Sequence, residues 1–155
     1  MRVTGRIHSL EIPFEIPVAP GKKIDRAVFV FLVLGEKITL IDTGVSGSES
    51  RIFDYIRKIG RDPKEISTLI LSHSHPDHIG AARSIHEATG CKILAHKGEK
   101  EWIENTSQQF RKILIRNRSY TYRNFVSKNI LHSPCDLTSN SRVQDVGPRT
   151  RFCSW

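Results

Sequence analysis

Residues 69–80 read LILSHSHPDHIG, an apolar run that ends at a serine and is followed by three histidines and an aspartate within six positions. A short branched run such as LIL suits a buried strand, so His73, His75, Asp77 and His78 come directly off the strand's carboxyl end. His73 and His75 are two apart in an extended turn, which lets both imidazoles converge on one ion. Pro76 stiffens the bend, and Asp77 and His78, at the mouth of the helix that follows, can face a second ion beside the first. A pattern fixed at four positions arises by chance in on the order of one chain in a thousand of this size, so surface histidines in a loop are the weaker reading. Imidazole and carboxylate together suit zinc, with iron or manganese as alternatives, so the donors alone do not name the metal.

Outward from this stretch, the chain alternates element types. Upstream, RIHSLEIPFEI has strand formers broken by Pro13 and Pro17, as on an edge strand or in an extended entry segment. APGKKIDR reads as a loop, and AVFVFLVL and KITLID read as two antiparallel strands joined by a two-residue GE connection. RIFDYIRKIG places Ile52, Phe53, Ile56 and Ile59 on one helical face with Gly60 as its stop. DPKEIS is a turn and TLILS is the strand that delivers the chain to His73. Downstream, DHIGAARSIHEATG predicts one helix ending at Gly90, CKILAH another strand, and EKEWIENTSQQFRKIL a further helix. This order predicts an α/β domain with a mixed β-sheet that carries helices on one face. From about Arg116 the pattern dissolves, with one candidate strand at NFVSKNIL. The expected division is therefore a partial domain over residues 1–132 and an irregular, disordered tail over 133–155.

Composition narrows the classes. A chain of 155 residues, 38% apolar and 26% charged, is expected to form one globular domain. The longest apolar stretch, Ala27 to Leu34, is too short for a membrane span, and the basic start lacks the apolar segment of a signal peptide. No membrane partner and a cytoplasmic location are expected. Cys91, Cys135 and Cys153 are odd in number and form no C-x-x-C pair, so reduced thiols are expected. The formal charge of +8 is uneven: residues 1–100 hold 15 Lys+Arg against 12 Asp+Glu, and residues 101–155 hold 9 against 4. Without an accompanying recognition motif, a solvated basic surface is the preferred account, and a nucleic-acid partner is left open but not favoured.

The HSHPDH segment, together with ITLIDTG about thirty residues upstream, resembles the His-x-His-x-Asp-His and Asp-Thr-Gly motifs of the metallo-β-lactamase-fold hydrolases. The resemblance covers roughly residues 7–115. It implies the amino-terminal half of an αββα sandwich and two divalent metal ions, zinc first among them. It also implies metal-activated hydroxide acting on an ester, thioester, lactone, lactam or phosphodiester of a small-molecule substrate. By that resemblance His73 and His75 belong to the first metal, Asp77 and His78 to the second, Asp77 is the catalytic residue that orients the hydroxide, and Asp42 supports the floor of the site.

The sequence departs from that family where the site should be completed. A third histidine for the first metal, a bridging aspartate and a final histidine find no match among His8, His86, His96 and His132, of which only His132 lies far enough downstream. A catalytic zinc normally has three protein ligands, whereas the first site here has two. The simplest expectation is a truncated amino-terminal half with one sheet face bare and poor solubility, and a catalytically inactive fragment stands as the alternative function. Dimerisation is the other route to the missing ligands. LIDTG is also an aspartic-protease signature, but no second Asp-Thr-Gly or Asp-Ser-Gly occurs and that reading leaves HSHPDH unexplained.

Overall fold

In a computed structural model of the chain, the described residues are 1–104 and 144–145. The first three strands are β1 (Ile7–Ala19), β2 (Lys22–Leu34) and β3 (Ile38–Ile41). Helix α1 (Glu49–Lys58) leads into β4 (Ile66–Leu71), and α2 (Pro76–Ile79) and α3 (Ala82–Thr89) lead into β5 (Lys92–Ala95). Helix α4 (Lys100–Glu104) and a two-residue strand, β6 (Gln144–Asp145), complete the described elements. All six strands join one sheet in sequence order, antiparallel from β1 to β3 and parallel from β3 to β6. The chain is thus α/β with a mixed sheet. The rest of the helix expected to run on from Lys100, the strand expected at NFVSKNIL and the tail from 133 lie outside the described residues, apart from β6.

The period-two pattern of β2 sets which face becomes core. Val28, Val30 and Leu32 are buried while Phe29, Phe31 and Val33 stay exposed. The buried set joins Ile38, Leu40, Leu69, Leu71 and Ile93 in one cluster with Ile52 and Ile56 of α1, Ile79 of α2, and Ala82 and Ile85 of α3. Helices therefore cover one face, as expected. Ile7, Phe29, Phe31 and Val33 leave a partly exposed apolar strip on the other face. Phe29 is 48% exposed, so Phe29→Ser is expected to change stability by less than about 0.5 kcal/mol while reducing binding of a hydrophobic-surface dye. A loss of several kcal/mol would show that this face is covered.

Three local expectations are corrected. APGKKIDR is not a loop, because the chain reverses at Pro20–Gly21, where Gly21 takes φ 72°, and β2 has already begun at Lys22. Pairing with β1 through Ile16↔Ile24 and Pro17↔Lys23 outweighs the polar character of the segment. The β2–β3 connection has three residues, Gly35 to Lys37, since Leu34 pairs with Ile38. The helix after the histidine stretch is two helices, broken between Ile79 and Ala82 where the chain passes against the loop after β3. By contrast, Pro13 and Pro17 do lie within an edge strand, where a missing N–H can face solvent. Asp62 caps the turn before β4 by accepting from the Lys64 amide, and Glu65 reaches back to the Asp62 amide, a reciprocal pair that fixes the chain's entry into the strand.

Candidate metal centre

The parallel part of the sheet delivers two loops to one edge. The loop after β3 carries Asp42, Thr43 and Gly44, and the loop after β4 carries Ser72 to His75. Backbone bonds lock the β3 loop to α2: the Thr43 amide donates to the His78 carbonyl at 2.7 Å, and the Gly80 amide donates to the Gly44 carbonyl at 2.9 Å. The Thr43 hydroxyl also donates to the His78 carbonyl at 2.8 Å and accepts from the Ala81 amide at 3.2 Å. Four hydrogen bonds therefore join residues 43–44 to 78–81.

Asp42 is the anchor. It is 5% exposed and takes φ 61°, the one described non-glycine residue with positive φ, which an aspartate tolerates better than most side chains. Its Oδ1 accepts from the Ser72 amide at 2.8 Å; its Oδ2 accepts from the Ser72 hydroxyl at 2.7 Å and from His78 Nδ1 at 2.8 Å. Burial pushes the Asp42 carboxyl up, but the bonds from His78 and Ser72 outweigh it and hold the group below its ordinary value. Both Asp42 oxygens are thus engaged by Ser72 and His78, which ties the loop after β3 to the histidine stretch.

This network assigns the ring protons. An ionised carboxylate only accepts, so the Ser72 hydroxyl spends its single proton on Asp42 and must accept from His73 Nδ1, 2.9 Å away. His73 therefore carries its proton on Nδ1 and turns a lone pair outward at Nε2. His78 likewise donates from Nδ1 to Asp42 and presents Nε2. That bond raises the His78 pKa against the opposing effect of burial. For His73, burial first and then the neighbouring His78 and His75 lower the pKa, which favours the neutral ring that a metal requires.

The outward atoms fall into two pairs. His73 Nε2 and His75 Nδ1 are 3.1 Å apart, and His78 Nε2 and Asp77 Oδ2 are 3.8 Å apart. Two ligands at about 2.05 Å on one tetrahedral zinc stand about 3.3 Å apart, a separation the His73–His75 pair approaches and the wider His78–Asp77 pair exceeds. His75 Nδ1 donates to His73 Nε2, and holding an ion at His75 Nδ1 would require the other neutral tautomer, with the ring proton on Nε2. Among the described residues no group of three or more His, Cys, Asp or Glu side chains converges in a metal-holding arrangement.

The remaining described histidines have structural partners. His8 meets the Tyr55 hydroxyl at 3.0 Å, His86 donates from Nδ1 to the Cys91 carbonyl at 2.7 Å, and the exposed His96 accepts from the Gly98 amide at 3.1 Å. His132 lies outside the described residues. Two residues near the site carried no sequence signal: Ser72, whose role depends on Asp42 thirty residues earlier, and Glu99, which accepts from the Ser74 amide across 25 residues. Asp42→Ala removes three charge-assisted bonds and puts alanine at positive φ, so a loss of about 3–5 kcal/mol in unfolding free energy is expected, with Asn milder only by the relieved strain because its NH2 faces a donor. Urea melts of both variants measure this, and equal losses would show that backbone strain contributes nothing.

The family model described as the metallo-beta-lactamase superfamily matches residues 24–151. The chain is 32% identical over 77 residues to a probable metallo-hydrolase, YqgX, of Bacillus subtilis, a match covering 50% of this chain and 34% of that protein. It is 22% identical over 146 residues to an N-acyl homoserine lactonase of a Bacillus species, covering 76% of this chain and 57% of the relative. Among solved structures, a class B3 di-zinc metallo-beta-lactamase, LRA-12, from an Alaskan soil metagenome is 24% identical with a TM-score of 0.48, over 50% of this chain and 30% of that one. The matches thus span between about a third and somewhat over half of these relatives' lengths. Among the described residues no helix is long and apolar enough to cross a membrane.

Proposed function

Since the chain belongs to the metallo-beta-lactamase superfamily, we propose that it acts as a metal-dependent hydrolase whose ions are held in part by the HSHPDH loop. The observation that carries this reading is the pairing of outward donors, His73 Nε2 with His75 Nδ1 and His78 Nε2 with Asp77 Oδ2. His73 and His75 would hold one ion, Asp77 and His78 a second, and Asp42 would keep His73 and His78 in the tautomers that expose Nε2. Two divalent ions, zinc first and iron or manganese as alternatives, would supply Lewis acidity and a water acidic enough to ionise near neutral pH. Asp77, at the first turn of α2 and partly exposed, would accept a hydrogen bond from that water and orient it toward the attacked carbon or phosphorus. The substrate is a small molecule with an ester, thioester, lactone, lactam or phosphodiester bond. A relative named as an N-acyl homoserine lactonase supports the cyclic members of that set.

A second reading is a catalytically silent chain that keeps this half of the site and binds metal weakly. It is favoured by the lack of a third converging donor among the described residues. Elemental analysis of the purified, tag-free chain, before and after chelation, separates the two. Close to two zinc or iron per chain supports the hydrolase. Well below one supports the silent chain.

A further inference from the structure

The two histidines of the first pair are oriented by different means. His73 is held through its ring, by the Ser72 hydroxyl. The contact of His75 Nδ1 with His73 Nε2 is, among the described residues, the one polar contact of the His75 ring. What aims His75 is therefore its backbone, which is held on one side by the His78 and Ile79 amides donating to its carbonyl at 2.9 and 3.1 Å and on the other side through Ser74.

Ser74 is 6% exposed although it sits between two site histidines. Its amide donates to Glu99 Oε2 at 2.9 Å, and its hydroxyl donates to the same carboxylate. Glu99 is delivered by a single helical turn, Lys97–Glu99, directly after β5. That turn is closed at both ends: the Glu99 amide donates to the His96 carbonyl at 2.8 Å, and the Gly98 amide donates to His96 Nδ1 at 3.1 Å. Strand β5 is itself fixed to β4 by parallel pairing up to Leu71↔Ala95, one residue before the histidine loop begins. The loop is thus gripped on two sides, by Asp42 from β3 at Ser72 and by Glu99 from beyond β5 at Ser74.

We propose that Glu99 is a positioning residue for the metal-facing histidines, a clamp that holds the Ser74 backbone and so aims His75 Nδ1 at the point His73 Nε2 already faces. The inference deepens the metal reading of this loop and rests on it. Glu99 does not itself bind the ion; it sets the geometry of two groups that do. The bonds from Ser74 also keep its carboxyl below the ordinary glutamate value, so it remains an acceptor over the neutral range. Partners of this kind typically change metal affinity by about 10–100-fold when removed.

The test uses the full chain and cobalt(II) as the probe, with affinity read from the visible spectrum and amide exchange at Ser74 read by NMR. Glu99→Ala is expected to weaken cobalt binding about 10–100-fold and to speed Ser74 exchange. Glu99→Gln keeps an acceptor oxygen and is expected to stay within about threefold of the wild type. Equal affinity in Glu99→Ala and the wild type overturns the clamp while leaving the metal reading intact. Glu99→Gln as weak as Glu99→Ala also overturns it, because the charge and not the bond would then matter. A wild-type chain that takes up no cobalt overturns the metal reading. Ser74 exchange then decides the clamp alone: unchanged in Glu99→Ala overturns it, and faster upholds it.

Discussion

Gly80→Ala is expected to cost about 3–5 kcal/mol and to lower the melting temperature by roughly 10–20 °C. At first sight the opposite follows, because Gly80 has helical dihedrals, φ −59° and ψ −32°, and alanine is favoured over glycine by about 1 kcal/mol in such a conformation. Space decides against it. A Cβ at Gly80 would stand 2.4 Å from the Ser46 amide nitrogen, 2.6 Å from the Val45 carbonyl carbon and 2.8 Å from the Pro76 carbonyl oxygen. All three are backbone atoms, so no side-chain rotation relieves the clash and the loop after β3 has to retreat. Retreat breaks the Gly80–Gly44 and Thr43–His78 bonds and draws Asp42 away from His78. Overpacking of this kind costs about 1–3 kcal/mol and each lost bond about 1 more, which exceeds the propensity gain. Thermal unfolding followed by circular dichroism measures it, and a melt within about 2 °C of the wild type would show that α2 and the loop do not touch.

Asp77→Ala should separate chemistry from folding. The side chain is 28% exposed, and its recorded polar contact is the 3.8 Å approach to His78 Nε2. Removing it forfeits at most about 1 kcal/mol of favourable charge at the start of α2. The proposed function puts the same carboxylate on an ion and on the attacking water, so turnover should fall by on the order of 10³ or more and bound metal from about two per chain toward one. Chelator-sensitive hydrolysis across an ester, lactone and phosphodiester panel, with elemental analysis alongside, gives both readouts. Full activity in Asp77→Ala would sink the assignment of this residue. The contrast with Asp42→Ala is diagnostic, since Asp42 is buried with three bonds and its loss should unfold the site before any question of turnover arises.

Much of the fold was legible because it rests on short-range patterns. The alternation in AVFVFLVL named the buried face of β2, Ile52 and Ile56 named the buried face of α1, and Pro13 with Pro17 marked an edge strand. Two of the failures share an origin, which is that contacts with another segment overrode local preference. Polar Lys22–Asp25 became strand because β1 lies beside it, and the expected single helix broke at Gly80 because the β3 loop crosses there.

The site divides in the same way. Residue spacing by itself placed His73, His75, Asp77 and His78 on one turn, since side chains two to five positions apart around a proline bend are close in almost any arrangement of the rest. Only the tertiary structure decided which ring nitrogens face outward, because those tautomers depend on Asp42 meeting Ser72 and His78 across 30 and 36 residues. It alone brought Glu99 onto Ser74 from beyond β5. Contacts of that range follow from the parallel pairing of β3, β4 and β5, a property of the assembled sheet that no local spacing encodes.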